Sequence, residues 1–179
     1  MHLSSKQYGS EQGLSSVFRQ WRATSHCRFL HGYALSIRLL FQAQALDGRN
    51  WVVDFGGLKP LKAALADTFD HKTLIAADDP ELARFMRLHE SGLIDLRVMP
   101  KGVGCEAFAQ HIYELTESFL VMEYLPALEE MLIQPPRGLS LTSVGVSEHA
   151  GNGAIYAPMA PRLLTPGLPT NVDTPESQA

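Results

Sequence analysis

The chain has few of the features that mark a secreted, membrane-spanning or nucleic-acid-binding protein. Its 179 residues include only two cysteines, Cys27 and Cys105, too few for a disulfide framework. No apolar run approaches the ~20 residues that span a bilayer, and the N-terminal residues lack the apolar core of a signal peptide. Lysine and arginine total 15 against 19 acidic residues, so no basic surplus indicates nucleic acid or an anionic membrane as a partner. These absences predict a cytoplasmic protein with two free thiols.

The chain does have enough apolar residues for one folded domain. Hydrophobic residues make up 45% of a length that can bury a sizeable core. Residues 1–14 are mostly polar, and we expect them to be flexible. Residues 158–179 are rich in Pro, Thr, Ser and Gly, a composition that predicts disorder. The folded domain is therefore expected to span residues 15–157.

Residue periodicity predicts an α+β protein with few helices. Alternation predicts strands near 15–25 and 33–44, while Leu and Phe at helical spacing predict a helix over 58–69. A second helix is expected from Asp79 as N-cap, with Pro80 in its first turn, to Gly92. The later elements are a short strand at 94–100 and the longest helix at 104–125. A strand at 139–149 follows, and a strand at 154–157 pairs back with it after a glycine turn. Neighbouring strands without intervening helices favour an antiparallel sheet.

The first candidate site is the cluster of His26, Cys27, His31 and Tyr33. If a strand begins near His31, then His31 and Tyr33 point to the same face, because side chains alternate along a strand. Two neutral imidazoles with a third ligand and a water make an open zinc site. A nearby cation would favour the thiolate form of Cys27. On residue types alone, ordinary packed or surface side chains are the more common explanation of such a cluster.

Three further stretches contain acid–base residues. Asp70 directly precedes His71, and a carboxylate beside an imidazole can orient it as a base or relay, although a solvated helix-ending turn has the same residues. Glu148 lies on the late strand and could accept paired hydrogen bonds from an N–C–N donor edge. His149 should point to the opposite face unless a bulge intervenes. Glu106 opens the long helix and, by itself, could simply complement the helix dipole.

The order of these stretches along the chain resembles the order of motifs in a known protein family. The chain is similar to the 6-pyruvoyl-tetrahydropterin synthase and 6-carboxytetrahydropterin synthase family. The family motif has a histidine after strand one, a cysteine, L-H-G-H opening strand two, V-x-D-F, D-H, P-T-x-E and a late glutamate. The matching stretches run through residues 15–157 and are ATSH with His26, Cys27, LHGY with His31, VVDFGGLK, FDHKTL with His71, GCEAF with Glu106, and VGVSEH with Glu148. The spacing from Cys27 to His31 favours the carboxytetrahydropterin branch of the queuosine pathway.

The resemblance implies a fold and an assembly. The family has the T-fold, a four-stranded antiparallel sheet with helices on one face. Its subunits continue the sheet into a β-barrel, commonly as trimers stacked into hexamers, with active sites at the subunit interfaces. We therefore expect a homohexamer with no nucleic-acid or membrane partner.

The resemblance also implies a lyase reaction. The substrate would be 7,8-dihydroneopterin triphosphate, converted to 6-carboxytetrahydropterin with release of acetaldehyde and triphosphate. Zn²⁺, bound by the residues matching the family ligands, would act as a Lewis acid. Cys27 would be the base and His71, oriented by Asp70, the relay. Glu148 and Glu106 would bind substrate.

The sequence departs from the family motif at the metal position. The family's third zinc ligand is a histidine, and here that residue is Tyr33. The metal could be held by His26 and His31 with Tyr33, by the two histidines and waters, with a ligand from elsewhere such as His149, or it could be lost. The alternatives are therefore pyruvoyl-tetrahydropterin formation, folate-type side-chain cleavage, and a T-fold paralogue that binds a pterin or purine without turnover.

Overall fold

The computed structural model describes residues 1–12 and 14–164, and this part of the chain forms two β-sheets and four α-helices. The strands are β1 (His2–Tyr8), β2 (Ser15–Phe18), β3 (His31–Ala34), β4 (Ser36–Ala43), β5 (Lys72–Ala76), β6 (Leu96–Met99), β7 (Ser140–His149) and β8 (Asn152–Tyr156). The helices are α1 (Lys59–Phe69), α2 (Leu82–Glu90), α3 (Cys105–Phe119) and α4 (Leu125–Glu130), with a π-helical turn at Leu120–Tyr124. None of these helices is long and apolar enough to cross a membrane.

The first sheet confirms the predicted four-stranded antiparallel sheet with helices on one face. Its strand order is β1-β4-β7-β8, and every neighbouring pair is antiparallel. Alternate residues of β4, Ile37, Leu39 and Phe41, are fully buried, because one face of the sheet packs on the core. The long helix α3 packs on β7 and β8. This layer positions Glu148, near the end of β7, beside the start of α3.

The second sheet was not predicted. It has the order β3-β2-β5-β6, with β2, β5 and β6 parallel to one another and β3 antiparallel to β2. The segment 33–44 was expected as one strand, but it divides at Leu35 between β3 and β4. The Leu35 side chain is buried, and its N–H donates to the carbonyl of Leu14. The chain therefore passes from one sheet to the other at this residue.

The N-terminal segment, expected to be flexible, instead forms β1. This strand pairs with β4 over its whole length, from His2 opposite Ala43 to Tyr8 opposite Ile37. An edge strand gains its ladder hydrogen bonds from one neighbour only and can remain largely polar, since one of its faces is in solvent. The prediction was wrong here because it relied on apolar content, and this strand buries only Tyr8.

Asp79 was expected to cap α2, but that helix begins three residues later at Leu82. The Asp79 side chain is buried and accepts two hydrogen bonds from Arg19, at 2.8 and 2.6 Å. Burial raises the pKa of Asp79, but the hydrogen bonds from Arg19 and the N–H of Glu81 outweigh it, so the net pKa is lowered. The Arg19–Asp79 ion pair connects the segment after β2 to the turn after β5.

Residues 15–25 were predicted as one strand, but this strand ends at Phe18.

Most of the remaining elements follow the sequence prediction, although α4 was not predicted. The helices predicted over 58–69 and 104–125 correspond to α1 and to α3 with its π-helical turn. The predicted hairpin of β7 and β8 is present, with a turn at 150–151. Leu164 is buried, and its N–H donates to the carbonyl of Leu139. Of the segment predicted to be disordered, residues 165–179 lie outside the described residues.

Candidate functional site

Cys27 lies on a short 3-10 turn, His26–Arg28, between β2 and β3. The Ser25 hydroxyl accepts from the Cys27 N–H at 3.4 Å, and the Cys27 carbonyl accepts from the Gln20 N–H at 2.9 Å. The Cys27 side chain is half-buried, and both His26 and Arg28 beside it are exposed. Backbone hydrogen bonds therefore hold the thiol in place while leaving it accessible.

His31 and Tyr33 lie on the same face of β3, as side-chain alternation predicted. Their ring centroids are 5.5 Å apart, and Phe18 packs against the His31 ring at 4.9 Å. The Nδ1 of His31 is 2.7 Å from the carbonyl oxygen of Phe29. Because a carbonyl can only accept, Nδ1 has the proton and the lone pair of Nε2 is free. This is the tautomer that a metal ligand or a hydrogen-bond acceptor requires.

His149 approaches Tyr33 because β7 has a bulge. The register between β7 and β8 shifts between Ser147 and His149, and the rings of Tyr33 and His149 are 6.2 Å apart. The Nδ1 of His149 accepts from the N–H of Gly151 at 3.1 Å. In the neutral ring the proton is therefore on Nε2, which makes this nitrogen a donor rather than a ligand.

Asp70 and His71 form a hydrogen-bonded pair where α1 meets β5. The Nδ1 of His71 donates to Asp70 Oδ1 at 3.0 Å, and the same carboxylate accepts from the Ser15 N–H at 3.1 Å. Burial raises the pKa of Asp70, but the hydrogen bonds from Ser15 and His71 outweigh it and lower the net value. His71 has a φ of 55°, and its side chain is 85% exposed. The pair therefore presents the free Nε2 of His71 to the outside of the chain.

Within one chain, Cys27 and His71 lie at opposite ends of β2. The N–H of His71 donates to the carbonyl of Ser15, where β2 begins, whereas Phe18, where β2 ends, is opposite His31. Three residues of strand separate these ends by roughly 10 Å. Cys27 lies beyond the second end, on the turn held by Gln20. One chain therefore does not bring the predicted base and its relay together.

A pocket of about 300 Å³ brings together Glu106 and Glu148, which the sequence placed on different elements. Glu106 lies in the first turn of α3, and Glu148 lies on β7. The other side chains and backbone that line it are Gln20, Cys105, Gly151, Asn152 and Gly153. Within residues 1–12 and 14–164, neither carboxylate has an ion-pair or side-chain hydrogen-bond partner. The pocket therefore offers two free acceptors to a ligand with several N–H groups.

Cys105 is buried at the base of this pocket. Burial raises the pKa of its thiol to about 11, and the carboxylates of Glu148 and Glu106 add to the effect. The group therefore remains a neutral S–H at physiological pH. Cys105 contributes packing at the helix start rather than a second nucleophile.

Gln20 is the pocket residue that the sequence analysis missed. Gly104, at the N-terminus of α3, has a φ of 109°, and a Cβ built there would collide with the side-chain amide of Gln20. The same Cβ position lies 3.7 Å from Glu106 Oε2, so the amide and this carboxylate approach the same point. No sequence motif contains Gln20. The one sequence signal was Gly104, because a residue without a side chain allows another group to pack closely against its backbone.

A sequence model of the 6-pyruvoyl tetrahydropterin synthase family matches residues 10–158. This match covers every strand except β1, together with the Cys27 turn and the pocket. The chain belongs to the 6-pyruvoyl tetrahydropterin synthase family. A search of curated proteins gave no match.

Solved structures share the fold at low sequence identity. An uncharacterized protein from Wolinella succinogenes has a TM-score of 0.64 at 17% identity, covering 87% of this chain and 97% of its own. The 6-pyruvoyl tetrahydropterin synthase of Plasmodium falciparum has a TM-score of 0.58 at 16% identity, covering 87% and 96%. That of Caenorhabditis elegans has a TM-score of 0.53 at 17% identity, covering 88% and 97%. At such identities, the similarity establishes the T-fold alone.

The metal position of this family member has fewer ligands than the predicted trio. His26 lies on the exposed 3-10 turn, and in the described chain its ring contacts neither His31 nor Tyr33. Among residues 1–12 and 14–164, no three His, Cys, Asp or Glu side chains are grouped so that they could hold a metal ion. The donors present are Nε2 of His31 and the phenol of Tyr33, and an open catalytic zinc site needs a third protein ligand. Within the described residues of one chain, a three-histidine site does not fit.

Proposed function

We propose that the protein converts 7,8-dihydroneopterin triphosphate and water to 6-carboxytetrahydropterin in the cytoplasm, with release of acetaldehyde and triphosphate. Family membership supports chemistry on a pterin side chain in general. The observation that carries the proposal is the pocket in which the carboxylates of Glu106 and Glu148 have no partner in the described chain. Cys27 and the Asp70–His71 pair supply the acid–base groups that such a lyase needs.

Glu148 holds the heterocycle in this proposal. Its carboxylate accepts two parallel hydrogen bonds from the ring N–H and the amino group of the aminopyrimidine edge. Glu106, on the other wall, adds negative charge that favours a ligand rich in donors. The pterin side chain then extends from the pocket toward the turn that holds Cys27, because Gln20 is bonded to that turn and also lines the pocket.

Cys27, as the thiolate, removes a proton from the pterin side chain, and this proton passes from the thiol to Nε2 of His71 of a neighbouring subunit, which returns it to the substrate. Asp70 fixes His71 with Nδ1–H donated to its carboxylate, which leaves Nε2 as the basic atom. The separation of Cys27 and His71 along β2 supports their coming from two chains. We therefore propose a homo-oligomer, in the form of a hexamer built from two trimers, with active sites between subunits.

Zn²⁺ is the metal in this proposal, and His31 and Tyr33 are the residues of this chain that would hold it. When bound, it supplies Lewis-acid polarisation of the substrate side-chain oxygens. His31 is set for this role by its bond to Phe29, which fixes the tautomer with a free Nε2. Tyr33 contributes a phenol that must lose its proton to bind strongly.

A second candidate is a family member that binds a pterin or purine without turnover. Tyr33 favours this alternative, because it replaces the histidine that is the third zinc ligand in the family motif. The free thiol of Cys27 and the oriented His71 favour an enzyme, since neither is needed to hold a heterocycle.

The test is product analysis by mass spectrometry after incubation of the full-length protein with 7,8-dihydroneopterin triphosphate and Zn²⁺. We expect triphosphate, acetaldehyde and 6-carboxytetrahydropterin. Triphosphate with 6-pyruvoyl-tetrahydropterin would move the protein to the pyruvoyl branch, and a side-chain aldehyde with retained triphosphate would indicate folate-type cleavage. Binding without any product would favour the non-catalytic alternative.

Zinc content measured on the same sample should fall after His31→Ala.

A further inference from the structure

Gln20 occupies an unusual position, because it joins the pocket to the Cys27 turn. Its backbone N–H donates to the Cys27 carbonyl at 2.9 Å. Its side-chain amide lies over Gly104 at the start of α3 and lines the pocket with Glu106 and Glu148. In the described part of the chain, this amide has no hydrogen-bond partner. A polar group held by packing, with its hydrogen bonds unused, is available to a ligand.

The charge around Gln20 determines which atom of its amide faces the ligand. The carboxylates of Glu106 and Glu148 repel the carbonyl end of the amide and attract its NH₂ end. Gln20 therefore contributes a hydrogen-bond donor to a pocket whose two carboxylates are acceptors. The combination matches a heterocyclic edge that has donors followed by one acceptor.

This donor distinguishes two classes of heterocycle. A 2-amino-4-oxo ring, as in a pterin or guanine, offers an amino group and a ring N–H to the carboxylates and a 4-oxo acceptor beside them. A neutral 2,4-diamino ring keeps the amino group at position 2, has an acceptor instead of an N–H at ring position 3, and has a donor at position 4, which would face the NH₂ of Gln20. We propose that Gln20 donates to the 4-oxo group and so selects 2-amino-4-oxo ligands over 2,4-diamino ligands. This inference rests on the proposed pterin function of the pocket.

The position of the donor is fixed from two sides. Gly104 removes the side chain that would otherwise fill the space, and its φ of 109° disfavours any other residue. Arg19, next to Gln20, is held by two hydrogen bonds to the buried Asp79. A donor on such a supported segment loses little entropy on binding, which is the condition for selectivity between ligands of equal size.

The experiment is a fluorescence titration of the assembled full-length protein with 7,8-dihydroneopterin and with a 2,4-diaminopteridine bearing the same side chain. The wild type should bind the 4-oxo ligand about tenfold or more tightly. Gln20→Glu keeps the shape but replaces the donor by an acceptor, so it should reduce or invert this ratio. Gln110→Glu, on α3 and outside the pocket, is the matched control and should keep the wild-type ratio.

The outcomes of this titration test the role of Gln20 independently of the enzymatic reaction. A wild-type ratio near one, or a Gln20→Glu ratio equal to that of the wild type in a protein with unchanged thermal unfolding, would overturn the role of Gln20. If Glu148→Gln weakens both ligands while Gln20→Glu changes only their ratio, the assignment holds. Failure of the wild type to bind either ligand would overturn it together with the pocket assignment. Triphosphate release from the natural substrate tests the proposed reaction independently of this ratio.

Discussion

Replacing Cys27 by alanine is expected to abolish turnover of 7,8-dihydroneopterin triphosphate while leaving pterin binding and assembly intact. The thiol is the proton-abstracting group of the proposal, and loss of a positioned base costs about a thousandfold or more. Its side chain is half-buried on a turn held by backbone hydrogen bonds, so alanine should preserve the local structure. The measurement is the rate of triphosphate release, with size-exclusion chromatography for assembly.

Cys105→Ala is the matched control for the Cys27 variant. The Cys105 thiol is buried and its pKa is raised to about 11, so it takes no part in proton transfer at neutral pH. We expect this variant to retain activity within about tenfold of the wild type, with a modest loss of stability from the small cavity. Activity near wild type in Cys27→Ala, or complete loss in Cys105→Ala with normal folding, would contradict the assignment.

The second large effect is expected for Glu148→Gln. The amide replaces an anionic acceptor by a neutral group with two donors of its own, so it cannot accept both N–H groups of the aminopyrimidine edge. A lost charge-assisted pair costs about 2–3 kcal/mol, which corresponds to about 30- to 150-fold weaker binding. Fluorescence titration with 7,8-dihydroneopterin measures it. Folding should be unaffected, since this carboxylate has no partner among the described residues.

Glu114→Gln provides the control for the charge change. Glu114 also lies on α3, like Glu106, but its carboxylate pairs with Lys101 at the surface. Exposed ion pairs contribute little, about 0–1 kcal/mol, so pterin affinity should remain at the wild-type level. Equal affinities for wild type and Glu148→Gln would remove Glu148 from the pocket assignment.

Local sequence signals predicted the parts of the fold that depend on local pattern. Leu61, Leu65 and Phe69 are spaced for one face of α1, and all three are buried as that spacing requires. The second sheet depends instead on which strands meet in space. No residue pattern around Leu35 predicts that the chain passes from one sheet to the other at this position. The parallel strand β5 has no period-two signal either, because four of its five residues are buried.

The candidate site was predictable where it follows from alternation or from a family motif. The shared face of His31 and Tyr33 follows from the period of a strand. The family motif implied that Glu106 and Glu148 both bind substrate, but residue patterns alone do not specify the packing of α3 on β7 that brings them together. Gln20 was missed for the same reason, since its role depends on its proximity to Gly104. The ring of His149 approaches Tyr33 because β7 has a bulge, and no residue pattern predicted this bulge.

The proposed reaction requires that Cys27 and His71 act in a single site formed by two chains. Cys27→Ala and His71→Ala oligomers should each be inactive. Co-expressed with different affinity tags and purified through both, the two variants should regain activity, because about one site in four then combines an intact Cys27 with an intact His71. Recovery of about a quarter of wild-type triphosphate release is the predicted result. Mixed oligomers that contain both variants and stay inactive would contradict the claim.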